Sequence, residues 1–182
     1  MQSEDFKLKI GDAAPNFNLQ GVDGEEYSLD SFSKDFLVVI WTCNHCPYAK
    51  AYENKLILLA KEFGHKVDFV AINSNDVSKY PADSFENMKE LSDEKDLPYP
   101  YLFDESQESA SAYGALVTPH IYLFDKDKKL IYQGGVDNSF GNGNTQEEPT
   151  EHYLKDALND SVSEREIKKK TSPVVGCSVK WK

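Results

Sequence analysis

No uninterrupted apolar run in this sequence approaches the roughly 18 residues that a membrane-spanning helix needs. There is also no internal repeat and no long low-complexity segment, which sets aside solenoids and arrays. The start, MQSEDFKLKI, has acidic residues where a secretory signal carries a basic stretch and then an apolar one, so a cytoplasmic protein is expected. Arginine is nearly absent, with Arg165 alone. A formal net charge of −11 argues against a nucleic-acid binder, because phosphate contacts need clustered Lys and Arg. Lys168, Lys169 and Lys170 form the one basic run and read as a solvated tail. Cysteine is scarce as well. Three in 182 residues cannot make a disulfide scaffold, yet Cys43 and Cys46 stand only three positions apart, and Cys177 lies near the end.

The length fits one domain with an appended arm, with the division expected at residues 10–162 and 163–182. Residues 36–42, FLVVIWT, form a continuous apolar and β-branched run, the pattern of a strand buried on both faces. Beyond the cysteines, Ala49, Tyr52, Leu56, Leu59, Ala60 and Phe63 recur every three or four positions. Lys50, Glu53, Lys55, Lys61 and Glu62 take the other side, so this is an amphipathic helix, with Gly64 expected as a left-handed cap. VDFVAIN, residues 67–73, supplies a second strand and completes a βαβ unit. Asp23-Gly24 signals an earlier hairpin. Downstream come a helix over 84–94 capped by Asp83 or Ser84, a strand in YPYLFD, and a short helix stopped by Gly114. HIYLFD and LIYQGG then form an antiparallel hairpin, and a Gly/Asn-rich loop over 137–148 leads to a last helix over 150–162. The arm is expected to lie on the surface. The order implies an α/β domain, a mixed sheet covered on both faces.

Cys43 and Cys46 fall where the first buried strand gives way to the helix. Reactive groups gather at the carboxyl ends of strands in open α/β sheets. Unpaired N–H groups at a helix start favour thiolate over thiol, and Cys43 is expected near them. Lowering a thiol from about 8.5 to about 7 takes about 2 kcal/mol. Pro47 suits the first turn, and Cys46 would face inward to resolve a mixed disulfide on Cys43. Between them, a protonated His45 would lower Cys43 further, so Asn44 and His45 are read as tuning residues. A zinc site needs four ligands in local groups. Only His45, His120 and Cys177 could join the pair, with no second CxxC or HxxxH, so no metal is expected.

These residues resemble the thioredoxin-fold superfamily. VVIWTCNHCPYAK matches its strand, motif and helix start, and LVTPHIYLF is similar to its cis-proline segment, with Thr118 before Pro119. GDAAPNFNLQGVDGEEYSLDSF resembles the opening of the alkyl hydroperoxide reductase/thiol-specific antioxidant branch, and YQGGVDNS with GCSVKWK resembles a peroxiredoxin-like subgroup that keeps a thioredoxin-like CxxC. The resemblance implies a three-layer α/β/α sandwich around a central mixed sheet, with an N-terminal β-hairpin and a C-terminal arm. It implies a thiol-disulfide oxidoreductase with Cys43 attacking, Cys46 resolving, and Thr118 and Pro119 facing the substrate. Partners would be protein or small-molecule disulfides and thiols, with an unidentified upstream reductant, and no organic cofactor is needed. Two other readings stay open: a thiol peroxidase and a non-catalytic redox switch. A peroxiredoxin site resembles Pro-x-x-x-Thr-x-x-Cys with an assisting Arg, and neither cysteine has that Thr or Pro before it. The thioredoxin strand also carries a buried Asp for proton transfer, where residues 36–40 here are all apolar. His120 is the candidate substitute. Trp41 is expected to pack beside the motif, and Cys177 is either a small apolar filler or a third redox thiol.

Overall fold

The computed structural model describes residues 5–141 and 146–182. Residues 1–4 and 142–145, which include part of the chain's acidic start and the centre of the Gly/Asn-rich loop, lie outside the described residues.

A seven-stranded sheet forms the middle layer, in the order β2 (Glu26–Ser28), β1 (Asn18–Gly21), β5 (Tyr101–Phe103), β4 (Val67–Asn73), β3 (Phe36–Trp41), β7 (His120–Phe124) and β8 (Leu130–Gly134). Strand β3 (Phe36–Trp41) runs parallel to β4 (Val67–Asn73), from Phe36 opposite Val67 to Trp41 opposite Ile72. Val38 and Ile40 point into one core; Leu37, Val39 and Trp41 point into the other. That period of two, with apolar residues at every position, is why the run is a central strand. Burying each such side chain fully is worth about 1.5–3 kcal/mol. Helix α1 (Pro47–Phe63) lays Tyr52, Leu56, Leu59, Ala60 and Phe63 on the first core. Gly64 is not the left-handed cap expected: its φ of −57° continues the helical geometry, so the chain leaves α1 through an ordinary turn.

On the outer edge, β1 (Asn18–Gly21) and β2 (Glu26–Ser28) form the N-terminal hairpin, with Gly24 at φ +92° in its turn. β1 pairs antiparallel with β5 (Tyr101–Phe103), itself parallel to β4. α2 (Phe85–Lys95) starts at Ser84, whose hydroxyl accepts from Asn87 N–H; the choice between Asp83 and Ser84 as cap thus falls to Ser84. α3 (Glu108–Tyr113) stops at Gly114, φ +70°. After the two-residue β6 (Val117–Thr118), β7 (His120–Phe124) and β8 (Leu130–Gly134) make the expected hairpin, with an irregularity between Leu123 and Phe124. α4 (Tyr153–Val162) joins α1 and α2 on the first face. α3 and residues of the N-terminal segment cover the other. The fold is a thioredoxin-like α/β/α sandwich.

The arm is built in rather than laid on the surface. Ile167, Val174 and Val179 are buried, and β9 (Cys177–Ser178) pairs antiparallel with β6, setting Cys177 opposite Thr118. No helix among the described residues is long and apolar enough to cross a membrane.

Candidate active site

Four segments converge at the carboxyl ends of β3 and β4: the turn carrying Cys43 and Cys46, the 3-10 turn Pro81–Asp83, the Thr118–Pro119 segment and the arm. The Thr118–Pro119 bond is cis, as the resemblance implied. Cys43 Sγ lies 3.4 Å from Thr118 Oγ1, and Cys46 donates its S–H to the Thr118 carbonyl at 3.3 Å. Both cysteines are buried, and Ala49 and the half-buried Cys177 pack against them.

Cys46, rather than Cys43, occupies the N-cap of α1, with Pro47 at the first helical position. The electrostatics follow that placement. The Cys46 thiol is lowered: the Cys43 thiol donates to it, and Cys177 and the N–H groups of Ala49 and Cys177 also favour charge there, against the penalty of burial. Cys43 is pushed up by its bond to Cys46, by burial and by the Asp83 carboxylate, with Thr118 acting weakly the other way. The two thiols hydrogen-bond each other, so ionisation of one sulfur opposes ionisation of the other. Cys177 is raised to about 12, by burial and then by Cys46.

The residue that sequence reasoning missed is Asp83, which is fully buried. Its Oδ1 accepts from the backbone N–H groups of Asn44 (2.8 Å) and His45 (3.1 Å). Oδ2 lies 2.5 Å from His45 Nδ1 and accepts from Asn75 Nδ2 at 2.8 Å. One carboxylate thus fixes the backbone between the two cysteines and orients the imidazole, which stacks on Tyr80 at 5.0 Å. Asn44 is structural, its amide donating to Ala82 O and accepting from the Tyr101 hydroxyl. His45 does not act on Cys43 as an isolated cation, because Asp83 stands beside both. Donor atoms of Cys43, His45 and Asp83 lie within 4.8 Å of one another, a spacing that could hold a metal ion. Each Asp83 oxygen already accepts two hydrogen bonds, so ligation would have to displace protein contacts. Glu53, expected on the solvent side of α1, lines a small cavity with Cys43 and Tyr101, and burial raises its carboxyl.

His120 and Trp41 both lie in the core. His120 is fully buried against Phe6 and Tyr122, its Nδ1 is 3.1 Å from the Tyr122 hydroxyl, and burial lowers it to about 3. Burial therefore favours the neutral imidazole over the charged one. Trp41 donates its indole N–H to Ser74 Oγ and packs on Tyr113 and Tyr122. Its role is packing. Arg165, the guanidinium a peroxidase site would want nearby, bonds Asp160 and the Asn159 carbonyl at the end of α4.

Residues 10–133 match the AhpC/TSA family. Among curated proteins, the thiol-disulfide oxidoreductase ResA of Bacillus cereus is 28% identical over 84% of this chain and 81% of its own. Among solved structures, an uncharacterized conserved protein of Geobacillus kaustophilus superposes with a TM-score of 0.90 at 41% identity, covering 97% of this chain and 95% of that one. A hypothetical protein of Sinorhizobium meliloti 1021 gives 0.89 at 30% identity, covering 97% and 96%. The matched residues run through the dithiol turn and the cis-proline segment and make up more than half of the sequence: the chain belongs to the AhpC/TSA family.

Proposed function

We propose that the chain is a thiol-disulfide oxidoreductase working through Cys43 and Cys46. The observation that carries this is the packing of two unpaired sulfurs together at a strand-to-helix joint, against a cis-proline segment. The name of the Bacillus cereus relative agrees with it. Cys43, the motif's first cysteine, attacks the substrate disulfide as its thiolate, with Cys46 still protonated on the Thr118 carbonyl. A mixed disulfide forms on Cys43 and one substrate thiolate leaves. Cys46 loses its proton and attacks Cys43 Sγ, releasing the second substrate thiolate and leaving the Cys43–Cys46 disulfide. Two electrons pass to the substrate, and an upstream dithiol returns them. Protein or small-molecule disulfides as substrates, and a cytoplasmic setting with its dithiol reductants, belong to the same proposal.

Reduction of a disulfide substrate by wild type and Cys43→Ser tests it. The expected result is turnover by the wild type alone. Equal inactivity of both, with the wild type still forming its disulfide reversibly, would point instead to a redox switch. Rapid turnover of hydrogen peroxide with no disulfide reduction would point to a peroxidase.

A further inference from the structure

The arm stands where an extended peptide would have to bind. β6 is two residues long and presents its edge beside the dithiol, and an exposed sheet edge is a template for an added strand. β9 fills that edge. Cys177 faces Thr118, Ser178 faces Val117, and Val179 N–H donates to the Leu116 carbonyl at 2.9 Å. A Cβ on Gly176 would come within 2.1 Å of the Thr118 oxygen, so the arm approaches this backbone more closely than any side chain would allow. Beyond β9 the chain is tied down again: Lys180 N–H donates to Asn75 Oδ1, its carbonyl accepts from Asp76 N–H and Gln107 Nε2, and Lys182 N–H donates to Gln107 Oε1.

The seating brings a third sulfur onto the pair. Cys43 and Cys46 pack together, and Cys177 packs against them. Cys43 and Cys46 are 2% and 0% exposed, whereas Cys177 is half-buried and so the most accessible sulfur of the three. A simple packing role would call for full burial, and Cys177 is only half-buried.

We propose that the arm is a built-in substrate strand and that Cys177 exchanges with Cys46, carrying the oxidised state of the buried pair to the surface. This rests on the dithiol reading above. Starting from the Cys43–Cys46 disulfide, the Cys177 thiolate attacks Cys46 Sγ. The Cys46–Cys177 bond forms, the Cys43–Cys46 bond breaks, and Cys43 leaves as a thiolate that takes up the proton given up by Cys177. No electron enters or leaves. An external dithiol then attacks Cys177, forms a mixed disulfide there and expels Cys46; its second thiol resolves that bond, supplying two electrons. Oxidation of the pair also removes the charge on Cys46 that opposes ionisation of Cys177, while Lys180 favours it.

Wild-type protein equilibrated across a series of glutathione ratios, quenched in acid and mapped without reduction should contain a fraction with Cys46 joined to Cys177 and Cys43 free. Cys43→Ser treated with diamide should trap the same bond within one chain, with a yield unaffected by dilution. Finding only Cys43–Cys46 in the wild type, with Cys177 free at every ratio, overturns the proposal whatever the variant does. Cys43-dependent disulfide reduction, assayed on the same wild-type preparation, keeps the two readings apart. Its absence would sink the oxidoreductase reading, and its presence without the Cys46–Cys177 bond would sink only this one.

Discussion

A carboxylate buried beside a thiol sets the terms of this site. Asp83 raises Cys43, so Asp83→Asn should let Cys43 ionise more readily. One unit of relief would give about tenfold more thiolate, and so about tenfold faster iodoacetamide labelling of Cys43 at a fixed alkaline pH. Unchanged labelling would mean that Asp83 and Cys43 are not coupled. The same variant should lose about 1–3 kcal/mol in denaturant unfolding, because an amide offers a single acceptor oxygen where four donors converge. The dithiol itself predicts a potentiometric result. Where one thiol of the pair is ionised near neutrality and the other protonated, reduction takes up two electrons and one proton. The midpoint potential should then fall by about 30 mV per pH unit, whereas a pair with both thiols protonated would give about 60 mV. A slope near the larger value between about pH 6 and 8 would show that no thiolate is held there.

At the scale of elements, the joint between β3 and α1 was open to reading from sequence, and the joint between β6 and β9 was not. β3, α1 and β4 carry enough residues to display their periods, and Pro47 and Cys46 fix the helix start. Two-residue strands display none, so the arm's register on Thr118 left no trace in the pattern. Asp83 did leave a weak one. Two cap-type residues stood side by side where a helix needs one, and with Ser84 capping α2 the other was free to turn toward residues 44 and 45. Its contacts, 38 and 39 positions away, follow from tertiary packing alone. Gly176 offers the test of the arm's seating. Gly176→Val forces side-chain atoms against the Thr118 carbonyl, and overpacking of this kind costs about 1–3 kcal/mol. Since about 1.4 kcal/mol is tenfold in an opening equilibrium, Cys46 should be alkylated roughly tenfold faster or more. An unchanged rate would show that the arm does not shield the pair.

For the molecule as a whole, the aromatic core makes alkaline pH the vulnerable side. Tyr52, Tyr101, Tyr113, Tyr122 and Tyr132 are buried, and burial raises all five phenols. Such a tyrosine keeps its proton in the fold and loses it from the unfolded chain at about pH 10, so its contribution is intact below that value and drains away above it. The urea midpoint should therefore drop steeply beyond about pH 10, with tyrosinate absorbance appearing together with loss of structure. Reversible ionisation of these five residues in the intact fold would contradict this. Another whole-chain property follows from β9 lying on β6. The strand is a competitor that never diffuses away, and a tethered segment meets its site at an effective concentration of about millimolar. On the proposal that β9 occupies the substrate's edge, a free disulfide peptide must outcompete it, so substrate selection begins as a threshold on affinity. The grip of Asn75, Asp76 and Gln107 on residues 180–182 sets that threshold's height, far from either catalytic sulfur in sequence.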